Sequence, residues 1–112
     1  MSIAGDLIRG HTDAIILARL LRGDSYGYEI NKTIATLSSG RFELKEATLY
    51  TAFKRLEEQG FIASYWGDSG AGARRRYYTI TALGRDASRR LTEDWKETRE
   101  IMDQLLKVEE DL

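Results

Sequence analysis

Hydrophobic positions along this chain change their period as the chain proceeds, and each change marks an element. Residues 6–21 carry Leu7, Ile8, Ile15, Leu17, Leu20 and Leu21. That density is too high for a surface helix and predicts a first helix buried on more than one side. The Arg-Gly-Asp triplet at 22–24 stops it. In "SYGYEINKTIATL" (25–37) Tyr26, Ile30, Ile34 and Leu37 share one helical face, and Ser-Ser-Gly at 38–40 ends this second helix. "KEATLYTAFKRLEEQG" (45–60) is the clearest helix: Leu49, Phe53 and Leu56 recur at helical spacing, and Gly60 suits the left-handed closing position. The period then drops to two. "FIASYW" (61–66) and "RRYYTIT" (75–81) are rich in aromatic and β-branched residues and predict two short strands. The loop between them, "GDSGAGA" (67–73), is Gly-rich. Thr81 suits the N-cap of a last helix reaching about residue 110.

That last helix is long for its host. About 29 residues at 1.5 Å each span roughly 43 Å, against a diameter of roughly 35 Å for a compact domain of this length. The helix should therefore protrude. Its positions Leu91, Trp95, Thr98, Met102 and Leu105 follow 4-3-4-3 spacing, a coiled-coil-like seam. A protruding helix with an apolar seam needs a second chain, so a homodimer closed by a two-fold axis is expected.

Length and composition narrow the class. A chain of 112 residues, 42% apolar, makes one domain with a modest core. No apolar run approaches the length of a membrane helix, and the start "MSIAGDLIRG" lacks a signal-peptide pattern. There is no cysteine, hence no disulfide framework and no thiolate metal site. A cytoplasmic protein is the expectation. The net charge of −1 conceals segregation. Residues 74–90 hold six arginines against Asp86 alone, a net +5, while residues 93–112 carry a net −5. A partner feels the local field rather than the sum.

The order of elements, a third helix followed by a hairpin with a cationic base, is that of a winged helix-turn-helix. The expected class is α+β, with a winged helix-turn-helix domain over residues 1–81, including the N-terminal helix, and a C-terminal dimerisation helix over 82–112. A helix fits a DNA major groove. Thr48, Thr51, Lys54 and Arg55 occupy the surface of the third helix away from its apolar stripe. Lys54 and Arg55 suit the phosphate backbone; the threonines suit base edges or thymine methyls. Arg74, Arg75 and Arg76 stand where a wing meets phosphates, and a solvated strand start is the plain alternative. Strand alternation separates the three. With Tyr78 inward, Arg74 and Arg76 fall on its side and Arg75 on the side of Tyr77, so at least one ties the wing down. Trp66 is read as packing on the domain body. His11 is the single histidine and is read as structural or solvated. No metal-ligand cluster, phosphate loop or nucleophile–base motif is present, so neither cofactor nor enzymatic activity is expected.

"YGYEI" (26–30), "EATLYTAFKRLEEQGFIASYWGD" (46–68) and "ARRRYYTITALG" (73–84) resemble the PadR family of winged-helix transcriptional regulators over nearly the whole chain. Together with Trp95, the pattern is most similar to its compact multidrug-binding, LmrR-like subgroup. The resemblance implies a dimeric repressor of operator DNA, released when a planar aromatic compound binds in a pore at the dimer interface. Trp95 matches the tryptophan that stacks on such ligands, and Leu7, Ala14, Ala18, Thr92 and Arg99 match pore-lining positions. Tyr50 matches a residue whose hydroxyl meets a DNA phosphate; a core ring is the alternative. The chain also departs from the pattern. Ala73 stands where many members have Pro, implying a looser wing. Lys45 stands at an N-cap where Ser, Asn or Asp caps better and is free to meet a phosphate. Arg99 replaces an acid of the pore, implying weaker preference for cations, with Asp94 and Glu97 flanking Trp95 as compensation. A tryptophan that only anchors a dimer, in a ligand-sequestering or interaction module without DNA, is the rival reading.

Overall fold

The computed structural model describes residues 3–68 and 74–107. The helix expected over 6–21 is two helices, α1 (Ile3–Arg9) and α2 (Thr12–Leu20). The break falls at Gly10, whose freedom disfavours a continuous helix. There the Thr12 hydroxyl donates to the Arg9 carbonyl at 2.6 Å. Helix α3 (Gly27–Leu37) follows, then α4 (Glu46–Glu58), strands β1 (Ile62–Asp68) and β2 (Arg74–Ile80), and the long α5 (Ala82–Leu106).

Side chains fix the turn between α3 and α4. The Asn31 amide brackets the backbone of Leu44, accepting from its N–H at 2.9 Å and donating to its carbonyl at 2.6 Å. The Ser38 hydroxyl does similar work on Phe42. Phe42 and Leu44 are thereby held in the core with Ile30 and Ile34 of α3 and Leu49, Phe53 and Leu56 of α4. Leu37 lies outside it, 63% exposed.

The hairpin is antiparallel, with Ile62 opposite Ile80, Ser64 opposite Tyr78 and Trp66 opposite Arg76. Tyr78 is nearly fully buried and its ring stacks on Phe53 at 3.9 Å between centroids. On the far edge of β2, Ser25 and Tyr78 exchange backbone hydrogen bonds of 2.7 and 3.2 Å. The wing is thus sewn to the segment before α3 and rests on α4. The loop tip, including Ala73, lies outside the described residues.

Thr81 caps α5, accepting from the Gly84 N–H at 3.0 Å and donating to the Gly60 carbonyl at 2.7 Å. Gly84, Ala87 and Ser88 are buried against the body. From Thr92 onward every described residue is exposed. Twenty-five residues give α5 a length of about 37 Å. The radius of gyration of 16.3 Å exceeds the ~13 Å of a compact domain this size, and the extents are 61 × 29 × 21 Å. The protrusion read from length is present; the expected final turns, 108–110, lie outside the described residues.

Candidate nucleic-acid interface

Helix α4 buries Leu49, Ala52, Phe53 and Leu56, which turns Ala47, Tyr50, Thr51, Lys54 and Glu58 outward. Lys45 stands at its N-cap without a side-chain capping bond, so the first N–H groups and the positive end of the helix dipole face outward beside an ammonium. Tyr50 lies over α3, edge-on to Phe53 at 5.5 Å and 45% exposed. It can lie there because residue 27 is Gly: a Cβ would come within 2.6 Å of the Tyr50 hydroxyl.

Arg55 has a different position from the other candidates. Its guanidinium makes a forked ion pair with Asp13 of α2, Nε to Oδ2 at 3.2 Å and a second bond from Nη2 to Oδ1. The hydrogen bond to Asp13 holds its pKa above the ordinary guanidinium value. Arg55 is therefore engaged with the body, as is Thr48, which turns half-buried toward α2.

In the wing, the guanidiniums lie over aromatic rings. Arg74 and Arg76 sit over Trp66 at 5.4 and 5.7 Å from its centroid, and Arg75 sits over Tyr26 at 4.7 Å. The strand alternation that separates Arg75 from the other two is thus realised. Trp66 does not pack on the body; it is 54% exposed on the hairpin. Stacking a guanidinium on a ring fixes its plane while its N–H edge remains open to an anion. On the Arg75 side, Tyr77 packs against Tyr26 and Tyr65, and the Tyr65 hydroxyl donates to Asp24 at 2.6 Å. That bond, with a second from Thr79, holds the Asp24 carboxyl below its ordinary range, and Asp24 in turn raises the phenol of Tyr65. Gly67, paired with Arg75 and diagonal to Tyr77, leaves room for the Tyr77 ring, which would lie 2.3 Å from a Cβ there.

Trp95 lines a cleft of ≈ 660 Å³ between α2, α4 and α5. Its ring meets His11 edge-on at 5.2 Å, a contact sequence reading missed. The cleft also holds Ala14, Asp13, Asp94 and Thr98, and its α4 wall is Ala47, Thr48, Thr51 and Arg55. Of the pore candidates, only Ala14 shares this cleft with Trp95. Ala18 lines an apolar groove beside Ile8 and Phe42. Arg99 lines a polar groove with Lys96 and Asp103. Leu7 and Thr92 are exposed outside these clefts. Among the described residues no group of His and carboxylates has metal-ligand geometry, and no helix is long and apolar enough to cross a membrane.

A buried helix pair, an outward-facing α4 and a cationic hairpin beside it define a winged helix-turn-helix protein. The sequence pattern of the Transcriptional regulator PadR-like family matches residues 16–90, and the chain belongs to that family. An uncharacterized protein of Lysinibacillus sphaericus is 46% identical over 101 residues, covering 90% of this chain and 93% of the relative. Among solved structures, a transcriptional regulator from Clostridium thermocellum is 43% identical with a TM-score of 0.85, covering 95% of this chain and 100% of that one. A PadR family transcription regulator from Clostridium difficile is 36% identical with a TM-score of 0.75, covering 86% and 98%. The family consists of transcriptional regulators, not enzymes.

Proposed function

We infer that the protein is a dimeric repressor that binds operator DNA through α4 and the wing and releases it when a planar aromatic compound occupies the Trp95 cleft. The observation that carries this reading is the shared wall: Thr48, Thr51 and Arg55 of α4 face the same cleft as Trp95. A ligand there touches the DNA-reading helix directly. Two copies of α4 must stand about 34 Å apart to enter successive major grooves, and α5 paired with its partner sets that spacing. The ligand regulates by the difference in its affinity for two dimer geometries; a coupling of about 1–3 kcal/mol changes DNA affinity roughly 5- to 150-fold. In the cleft Asp94 sets a carboxylate beside Trp95 while Asp13 is paired with Arg55, and Arg99 stands one turn beyond Trp95 on α5, so the preference for cationic over neutral planar compounds is weak. Resemblance to the LmrR-like subgroup supports the ligand class, and domain division near residue 81 follows from the same reading.

The test is a gel shift with duplex DNA from upstream of its own gene, at rising salt and with a planar cationic dye. Binding should weaken steeply with salt, and the dye should release DNA while quenching Trp95. Trp95→Ala should keep DNA binding and lose the dye response. Dye binding without any DNA binding would favour the sequestering module instead.

A further inference from the structure

Glu57 is a carboxylate on α4, close to the wing arginines and on a face meant for a polyanion. By charge alone it opposes DNA. Its contacts give it other work. Its Oε2 accepts a hydrogen bond from the Ser64 hydroxyl of β1 at 2.8 Å and lies 3.7 Å from Nη2 of Arg76 on β2. Glu57 and Arg76 are 30% and 44% exposed at their side chains, so the pair stands at the edge of the body. Glu57 is one helical turn beyond Phe53, which stacks on Tyr78. Ser64, Trp66, Arg76 and Tyr78 are cross-strand partners on one hairpin face. Helix α4 therefore grips that face twice along its axis, by a ring stack and then by a carboxylate that spans both strands.

We propose that Glu57 is a positioning residue for DNA recognition: it fixes the wing to the reading helix and holds the Arg76 guanidinium over Trp66, 5.7 Å from the ring centroid, where it can meet a phosphate. The assignment rests on the DNA-binding reading above. It makes a prediction opposite in sign to simple electrostatics. Glu57→Gln removes a negative charge and keeps an acceptor for Ser64, so a plain surface acid would on removal give tighter binding. A strut would on removal give weaker binding, since Arg76 is no longer held.

The experiment measures affinity for duplex DNA from upstream of its own gene against salt concentration, for the full chain, E57Q, R76A and the double variant. Because each dimer carries two wings, E57Q is expected to cost two phosphate contacts: roughly 5-fold per contact near 0.15 M salt, so roughly 30-fold in binding, with the slope of log K against log[salt] reduced by about 2. R76A should do the same, and adding E57Q to R76A should change nothing further. Tighter or equal binding by E57Q with an unchanged slope, or full additivity in the double variant, overturns the proposal. A second arm needs no DNA. With Trp95→Phe and Arg74→Ala as background, since Arg74 also lies over Trp66, emission from Trp66 reports whether Arg76 remains on the indole, and it should change in E57Q and not between R76A and E57Q/R76A. Emission unmoved by E57Q sinks the strut whether or not DNA binds. Wild-type protein that binds no DNA, with emission responding as described, sinks the DNA reading and leaves the strut as an element of the fold, which overturns its assigned role.

Discussion

Asp24 and Tyr65 meet from segments 41 residues apart to hold the outer face of the wing. Folding lowers the Asp24 pKa, so its contribution is present above the ordinary carboxylate range and is lost as pH falls through the folded value. Folding raises the Tyr65 pKa, so the same bond fades again in alkali as pH rises through that folded value. Tyr65→Phe should be less stable than wild type near neutrality, and the gap should close as pH falls through and below the ordinary carboxylate value of about 4; urea midpoints from neutral into acid check it. A gap that persists in acid would mean that packing, not this bond, carries the effect. Single residues show where sequence reading reaches its limit. The separate sides of Arg75 and Arg76 were legible because strand alternation is strict. The Arg55–Asp13 pair, the His11–Trp95 contact and the Glu57–Ser64 bond were not. Periodicity gives the face on which a side chain stands but not the element that comes to meet it.

The elements themselves were mostly legible: the apolar stripe of α4 and the cap at Thr81 stand where pattern and capping placed them, and the hairpin forms with Gly67 and Asp68, read as loop, paired into it as the end of β1. The break at Gly10 was missed although Arg-Gly-His-Thr-Asp at 9–13 interrupts the apolar pattern, because the apolar residues on either side of it were read as one stripe and one glycine does not by itself end a helix. The most exacting junction is where β1 and α5 approach each other. A Cβ at Gly84 would sit 2.0 Å from the Phe61 carbonyl oxygen, a backbone atom that cannot swing aside. Gly84→Ala should therefore cost about 1–3 kcal/mol by overpacking, despite the better helix propensity of Ala. Chemical denaturation measures it, and a neutral or stabilising result would show that α5 can shift along the body at no cost.

At the scale of the molecule, charge and shape divide together: six arginines fall on the wing and the start of α5, while Glu93, Asp94, Glu97, Glu100 and Asp103 leave the projecting part of α5 net acidic. The rod also carries Trp95, Met102 and Leu105, which are 44%, 44% and 73% exposed. On the dimer reading this seam is covered by a second rod, and Met102→Glu with Leu105→Glu should leave each protomer folded while halving the mass by sedimentation. Wild-type protein that sediments as a single chain at micromolar concentration would overturn that reading. The overhang seen here has one further effect. Past Thr98 the rod has little of its own body to lean on, and an isolated segment that short is only marginally helical in water. On the same dimer reading, diluting the protein should lower its melting midpoint, because association with a second copy would stabilise the rod by mass action.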